Sequence, residues 1–172
     1  MENSNGLKKL VVFYSLEGNT KFIAEKMAQD IGADILELKP EKELDAKSSM
    51  RFLWGGGQVI MKEIPKLKEY KANLADYGTI AIGTPIWAFN FTPPIRTFLK
   101  ENKISGKKII LFCTHGGSYG KTFANLRAEL PGNKIIGEAE FFNVLKDKEK
   151  SVAKLEEFMK IIKNKINGAD AI

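Results

Sequence analysis

Apolar residues along the chain follow two alternating patterns, continuous runs and helical spacing. The run KKLVVFYS predicts a strand, and the apolar positions of NTKFIAEKMAQDIG recur at helical spacing and predict a helix closed by Gly32. The same alternation predicts strands in ADILELK, YGTIAIGT, KKIILFCTHGG and NKIIGEAEFFNV, and helices in PPIRTFLKEN, GKTFANLRAEL and DKEKSVAKLEEFMKIIKNKI. Continuous apolar strands alternating with helices are typical of a parallel sheet covered on both faces. We therefore predict an α/β fold, a doubly wound three-layer sandwich whose five-stranded parallel sheet has the order 2-1-3-4-5.

The length of 172 residues suits one domain, which we expect to span residues 1–172. Residues 39–71 are the least regular part and contain a glycine triplet beside Trp54. Two interpretations of this segment stay open. It is either an irregular surface excursion between the second and third strands, or a flap or partner-contact loop that uses Arg51, Phe52 and Trp54.

Charge and composition narrow the possible partners. The net charge is +6, but the lysines are scattered rather than grouped, which favours a solvated surface over nucleic-acid binding. The N-terminal MENSNG has no apolar signal region, and no apolar run reaches membrane-spanning length, so we expect no membrane insertion. The single cysteine, Cys113, fits a reducing compartment. We expect a cytoplasmic protein.

Three loops are predicted at the edge of the sheet where ligands bind. In an open α/β sheet, ligands bind outside the carboxyl ends of the strands, at the point where the strand order reverses. In the predicted order, this point is flanked by the ends of the first, third and fourth strands. The loops there are SLEGNT, TPIWAFNFTPP and THGGSYGK.

The first loop has the features of an anion site. Backbone N–H groups at a helix N-terminus attract anions, Ser15, Asn19 and Thr20 add side-chain donors, and Gly18 lets the backbone close around the anion. The loop lacks the Gly-Lys-Ser/Thr ending of a triphosphate loop, and it contains no Lys or Arg. A phosphate monoester held by neutral donors fits it best. The alternative is that Asn19 and Thr20 only cap the helix.

The other two loops offer flat surfaces. Trp87 follows a predicted strand end between prolines and can present its ring to a planar ligand, whereas Phe89 equally well packs over the next helix. In the third loop, glycines allow close backbone approach, and Tyr119 offers another flat surface.

At these residues the chain resembles the flavodoxin family over nearly its whole length. Flavodoxins hold the phosphate of flavin mononucleotide (FMN) in a loop of pattern [ST]-x-[ST]-G-x-T. Ser15, Gly18 and Thr20 match this pattern, and Glu17 stands in place of the middle hydroxyl. The resemblance therefore implies FMN as the cofactor.

The remaining motifs are similar to the ring-side loops of that family. The stretch Thr84 to Trp87 resembles the loop whose aromatic residue stacks on the isoalloxazine, and Thr114 to Gly120 resembles the third, glycine-rich flavin loop. The cofactor-binding residues implied by the resemblance are Ser15, Leu16, Glu17, Gly18, Asn19, Thr20, Pro85, Ile86, Trp87, Ala88, Phe89, Asn90, Thr114, His115, Gly116, Gly117, Tyr119 and Gly120.

The residues at the strand ends also bear on two other functions. Cys113 and His115 suggest nucleophilic chemistry. Cys113 is not framed by glycines as in a nucleophile elbow, however, so a buried structural cysteine is favoured. We interpret His115 as a polar contact at the rim of the site. A phospho-receiver domain needs aspartates at the ends of the first and third strands, where this chain has none. No catalytic residue and no metal ligand are predicted.

The resemblance leaves two functions open. One is an FMN-binding redox protein that transfers electrons between protein partners, and the other is an FMN-dependent NAD(P)H:quinone or flavin-type reductase. No second domain and no separate dinucleotide fingerprint are visible, which favours the carrier. The basic pI of about 9.3 departs from the acidic character of electron-transfer flavodoxins and keeps the reductase open. The expected partners are redox proteins or a small oxidant.

Overall fold

The strands and helices follow one another as the apolar pattern predicts. The structure is a computed structural model and describes residues 7–42 and 64–168. The strands are β1 (Lys8–Phe13), β2 (Asp34–Glu37), β3 (Tyr77–Trp87), β4 (Asn90–Phe91), β5 (Lys108–His115) and β6 (Lys134–Phe142). The helices are α1 (Asn19–Ile31), α2 (Pro93–Glu101), α3 (Thr122–Ala128) and α4 (Lys148–Asn167), with a 3₁₀ turn at Leu74–Asp76.

The sheet has the predicted doubly wound order. Five strands pair in parallel in the order β2-β1-β3-β5-β6, which is the order 2-1-3-4-5 of the prediction. The short strand β4 pairs antiparallel with the end of β3, so the sheet has six strands rather than five. The order reverses between β1 and β3, and this places the carboxyl ends of β1, β3 and β5 around one crevice.

Alternation along the strands builds a core on each face of the sheet. Leu10 and Val12 of β1 join the cluster formed with α2 and α3, whereas Val11 and Phe13 join the cluster formed with α1 and α4. Both faces are therefore apolar and covered, as a parallel sheet requires. The three-layer prediction is confirmed.

The long helix α4 lies along one face as an amphipathic element. Leu155, Met159 and Ile162 are buried, and they recur at helical spacing as the sequence predicts. None of the helices within residues 7–42 and 64–168 is long and apolar enough to cross a membrane.

The second predicted loop is partly strand, which corrects the sequence interpretation. β3 runs on to Trp87, and residues 90–91 turn back against it as β4. Pro85 is tolerated in this strand because pairing with β1 ends at Gly83, so its missing N–H removes no bond to β1.

The turn between β3 and β4 has an uncommon backbone. Ala88 and Phe89 both have positive φ, 47° and 61°. Such angles are uncommon outside glycine, asparagine and aspartate. The β5–α3 loop packs against this turn. Its Gly120 lies so close that a Cβ added there would stand 2.6 Å from the Cβ of Phe89.

The two ends of the segment 39–71 meet in the structure. Pro40 and Leu67 form an isolated antiparallel bridge, and the Lys68 N–H donates to the Lys39 carbonyl at 2.7 Å. The predicted contact residues Arg51, Phe52 and Trp54 lie outside the described residues. Their role stays a prediction.

Gly83 of β3 leaves space for the ring of Phe112 in the core, and a substitution there should disturb the packing. A Cβ added at Gly83 would overlap the ring of Phe112 on the neighbouring strand β5. Gly83→Ala should therefore destabilise the fold by about 1–3 kcal/mol, the usual cost of overpacking. The measurement is urea unfolding. The control is Gly117→Ala, because no atom lies within 4 Å of an added Cβ there and φ is not positive. Equal stability of the two variants would contradict this account.

Candidate functional site

The main cleft lies at the carboxyl ends of β1, β3, β5 and β6. Its volume is about 550 Å³, within the roughly 300–1,000 Å³ typical of cofactor and ligand sites. Most of the predicted site residues line it, and they come from all three predicted loops. These residues are Ser15, Leu16, Glu17, Asn19, Thr20, Pro85, Ile86, Trp87, Thr114, His115 and Gly116.

The remaining predicted residues do not line the cleft. They lie in the same three loops but away from its wall, and they are Gly18, Ala88, Phe89, Asn90, Gly117, Tyr119 and Gly120. Phe89 is 66% exposed at the tip of the β3–β4 turn, and Tyr119 is 41% exposed beside Phe123. A binding role for these residues stays a prediction.

The first loop leaves the N-terminus of α1 without a side-chain cap. Gly18 is the N-cap residue that precedes the helix, with a φ of 91°, and its N–H donates to Ser15 Oγ at 3.1 Å. Asn19 Oδ1 accepts from the Leu145 N–H, and Thr20 Oγ1 shares a hydrogen bond with Thr114 Oγ1 at 2.8 Å. Neither Asn19 nor Thr20 caps the helix, so the interpretation of these two as caps is wrong. The first-turn N–H groups, which have no intrahelical partner, are placed for an anion.

Trp87 is the aromatic residue of the second loop that borders the cleft. Its side chain is largely enclosed, with 7% of the residue exposed, and its ring meets the Tyr14 ring edge-on at a centroid distance of 5.6 Å. Tyr14 is fully buried, so the orientation of Trp87 is fixed by the core. The cleft therefore has one rigid aromatic wall.

His115 is enclosed more deeply than the rim position expected from the sequence. Its side chain is 7% exposed, and its Nε2 lies 2.7 Å from Glu140 Oε2 on the adjacent strand β6. Burial raises the pKa of the Glu140 carboxyl, but hydrogen bonds from Lys154 and His115 together outweigh that effect, and the net pKa lies below its usual value. Glu140 is therefore a carboxylate at neutral pH and accepts from both neighbours.

Cys113 is a core residue. Its thiol is buried, and burial, followed by the charge of Glu140, raises its pKa to about 12. A thiol with this pKa stays protonated near neutral pH and is a poor nucleophile. The interpretation as a structural cysteine agrees with this burial.

A fourth loop, which the sequence interpretation missed, completes the cleft. Asn143, Leu145 and Lys146 follow β6 and line the cleft beside the first loop, where the Leu145 N–H donates to Asn19 Oδ1 at 3.1 Å. The Asn143 N–H donates to the His115 carbonyl at 2.8 Å, which draws this loop over the end of β5. The available signal was the lysine-rich stretch NVLKDKEK after the last strand. Through Lys146, the fourth loop adds a positive charge to a site that the sequence predicted to hold only neutral donors.

The buried bond between Thr20 and Thr114 links α1 to β5 beneath the cleft, and its strength can be measured. Thr114→Val leaves the Thr20 hydroxyl without this partner, so we expect a loss of about 1–3 kcal/mol in unfolding free energy. Thr20→Val should behave alike, and the double variant should cost clearly less than the sum, because no hydroxyl is then left unpaired. Urea unfolding of all four proteins measures the coupling. Additive losses would show that the two hydroxyls are independent.

Comparison with known proteins agrees with this geometry. A family model described as flavodoxin matches residues 8–158, and no curated protein matches the chain. A solved flavoprotein from Bacteroides uniformis ATCC 8492 is 27% identical, with a TM-score of 0.77, over 90% of this chain and 99% of its own. A flavoprotein from Lactobacillus acidophilus NCFM, solved in complex with FMN, is 26% identical, with a TM-score of 0.63, over 85% of this chain and 99% of its own. Together with the doubly wound sheet and the cleft at its switch point, the match over residues 8–158 shows that the chain belongs to the flavodoxin family.

Proposed function

We propose that this protein binds FMN in the main cleft and transfers electrons between redox partner proteins. FMN is the cofactor indicated by membership of the flavodoxin family and by the FMN complex of the Lactobacillus relative. The observation that carries the proposal is the union, in one cleft, of an uncapped helix N-terminus and a rigid aromatic wall. Bound FMN supplies one- and two-electron redox chemistry, and the protein supplies binding, orientation and electrostatics.

The phosphate end of the cofactor fits the first loop. The N-terminus of α1 carries a partial positive charge and unpaired N–H groups. Leu145 donates its N–H to the side chain of Asn19, which brings the neighbouring Lys146 to this end of the cleft. A doubly charged phosphate monoester suits this set, and Glu17 is the one carboxylate among the lining residues.

The ring end fits the walls supplied by β3 and β5. Trp87 and Ile86 offer an aromatic and an aliphatic surface on one side, and His115 and Gly116 border the other. A planar heterocycle between such walls gains stacking with Trp87 and backbone contact where Gly116 has no side chain. These residues are the proposed ring contacts.

The compartment and the domain organisation of the protein are also part of the proposal. One buried cysteine with a protonated thiol suits a reducing compartment, so we place the protein in the cytoplasm. A sheet with apolar clusters on both faces, built from residues on either side of the segment 39–71, supports a single domain.

One observation favours the reductase as a second candidate. A groove of about 360 Å³ adjoins the cleft and shares Asn143 and Lys146 with it. Lys150 and Lys154 also line this groove, so it has cationic groups of the kind that bind the phosphates of a nicotinamide nucleotide. Asp147 and Glu140 line it as well and reduce its net charge.

The proposed phosphate site predicts a strong preference for FMN over riboflavin. Charge-assisted hydrogen bonds contribute about 1.5–3 kcal/mol each, so FMN should bind at least about a hundredfold more tightly. Lys146→Met should weaken FMN by at least roughly tenfold and leave riboflavin unchanged, because two unit charges about 10 Å apart interact by about 1.7 kcal/mol at an effective dielectric near 20, and the phosphate carries up to two. Flavin fluorescence titration measures both affinities.

The matched control for that prediction is Lys148→Met. Lys148 lies two residues further along, over the ring of Phe22 and away from the cleft wall, so its loss should leave both flavin affinities unchanged. Equal affinity of the wild-type protein for FMN and riboflavin would refute the phosphate site.

The carrier and the reductase differ in their response to NADH and NADPH. For a carrier, anaerobic mixing of the FMN-loaded protein with either nucleotide should reduce the flavin more slowly than about 1 s⁻¹, the lower end of ordinary enzyme turnover. Stopped-flow absorbance of the bound flavin measures this rate. Faster reduction that slows in Lys150→Met would establish the reductase and locate the nucleotide in the groove.

A further inference from the structure

We propose that three exposed aromatic residues beside the main cleft, Phe89, Tyr119 and Phe142, together with the lysines that flank them, form the docking surface for an acidic redox protein. This inference rests on the proposed function, because it names the chemistry of the protein with which the FMN-loaded chain exchanges electrons. It also gives Phe89 and Tyr119, which do not line the cleft, a role outside it.

The first observation is where the exposed rings lie. Within residues 7–42 and 64–168, Phe89, Tyr119 and Phe142 are the exposed aromatic side chains, and Phe142 is 52% exposed. Phe89 lies at the tip of the β3–β4 turn, Tyr119 in the loop after β5, and Phe142 at the end of β6, so all three lie at the carboxyl edge of the sheet. Aromatic residues are enriched in protein–protein interfaces, and clustered exposed apolar groups mark such surfaces.

The three rings form one strip, which we call the aromatic strip. Phe89 packs against Gly120, the residue after Tyr119. The ring of His115 lies between the other two, with its centroid 5.9 Å from that of Tyr119 and 5.6 Å from that of Phe142. His115 lines the cleft, whereas the three exposed rings lie outside its lining. The aromatic strip therefore borders the proposed flavin ring site and stays available when the cleft is filled.

Positive charge flanks the aromatic strip at both ends. Lys121 is exposed and follows Gly120 directly, next to the β3–β4 turn. At the other end, Phe142 lines the groove beside the cleft together with Lys146, Lys150 and Lys154. Lys150 and Lys154 are one helical turn apart on α4, so they lie on the same face of that helix.

The carboxylates of this surface do not cancel its positive charge. Glu140 accepts a hydrogen bond from Lys154, and Asp147 Oδ1 accepts the Lys150 N–H at 3.1 Å at the start of α4. Both acidic residues line the groove, where they face three lysines, and Lys121 adds a fourth positive charge at the far end of the aromatic strip. Glu17 lines the cleft at its proposed phosphate end, away from the strip.

Exposed rings with net positive charge are complementary to an acidic protein that carries apolar side chains. A second copy of this chain is a poor occupant, because its net charge of +6 would bring like charges together. Single-stranded nucleic acid is also acidic and stacks on aromatic rings. The position of the aromatic strip beside the proposed flavin ring favours a redox protein over nucleic acid, because electron transfer requires the two redox centres to come close.

Docking itself forms and breaks no covalent bond. In the docked pair, one electron passes from the reduced flavin to the one-electron centre of the partner. The flavin is thereby oxidised by one electron and the partner's centre is reduced by one. The aromatic strip excludes water from the contact, and the lysines orient the approaching acidic surface.

The direct test is a binding titration of the ¹⁵N-labelled protein, with and without FMN, followed by NMR. The probes are an acidic [2Fe–2S] ferredoxin, basic cytochrome c and a single-stranded thymidine oligonucleotide. We expect the ferredoxin to bind most tightly, to perturb the amides around Tyr119 and Phe142 most, and to lose affinity as salt rises above about 0.1 M. Tighter binding of cytochrome c or of the oligonucleotide, or perturbation confined to other surfaces, would overturn the inference.

The role of charge is tested with Lys150→Glu. This variant should weaken ferredoxin binding by about fivefold or more at low salt, because it reverses one charge of the docking surface. The matched control is Lys160→Glu, which changes the net charge equally but lies ten residues, or about 15 Å, further along α4. This separation exceeds the screening length of about 10 Å at 0.1 M salt, so its binding should stay within about twofold of wild type. Equal losses in the two variants would show that only net charge matters and would overturn the docking surface.

The role of the rings is tested with Phe142→Ala. Loss of an aromatic anchor from an interface should weaken ferredoxin binding by about fivefold or more. The matched control is Ile161→Ala, which removes another exposed apolar side chain from the outer face of α4 and should leave binding unchanged. Unchanged binding of Phe142→Ala would contradict the proposal, and Tyr119→Ala replaces this variant if it does not fold.

Absorbance after addition of FMN separates this inference from the proposed function. A chain that takes up no FMN would overturn the proposed function. A chain that takes up FMN but does not bind the ferredoxin at the aromatic strip would overturn the docking surface alone.

Discussion

The parallel pairing of β1 with β3 is the interaction on which the rest of this structure depends. From β1 the chain continues outward to β2, and from β3 it continues outward to β5, so the two connections leave the sheet in opposite directions. The loops that follow β1 and β3 therefore separate, and they leave a crevice that none of the described helices fills. The six-residue ladder from Lys8 to Phe13 fixes the depth of that crevice, because the Tyr14 N–H still donates to Gly83 at 3.2 Å before the chain turns away.

The buried threonine hydroxyls under the crevice are hydrogen-bonded within the protein. Thr84 donates its hydroxyl hydrogen to the Pro85 carbonyl at 2.8 Å and accepts the Thr92 N–H at 3.1 Å, which ties β3 to the start of α2. Such closed sets stiffen the floor of the site. Nδ1 of His115 stands apart from them, since it is buried, confined and without a partner within residues 7–42 and 64–168.

The sequence predicted the fold and most of the residues that line the cleft, for identifiable physical reasons. Continuous apolar strands and helical periodicity report burial directly, so the strand order and the first three loops could be inferred. The periodicity carries no signal for the β3–β4 hairpin, because β4 has two residues and its turn contains Ala88 and Phe89 rather than glycine or asparagine. It also gave no sign of Lys146, whose place depends on how far β6 extends beside β5 and on the bond from Asn143 to His115. The exposure of Phe89 and Tyr119 likewise depends on tertiary packing, which an isolated aromatic residue in the sequence does not reveal.

The close approach of Gly120 to Phe89 has an evolutionary consequence. Gly120 has a φ of 52°, and any side chain there would strike the backbone carbonyl of Phe89 at 2.6 Å as well as its Cβ. The Thr122 hydroxyl reaches the same carbonyl at 3.5 Å from the start of α3. The β3–β4 turn and the loop before α3 lie more than thirty positions apart in the sequence, and they are closely packed against each other. The two segments should therefore vary together in evolution. A relative with a longer or differently shaped hairpin tip should also differ at position 120. Recombination between relatives that separates the two segments should yield poorly folded hybrids.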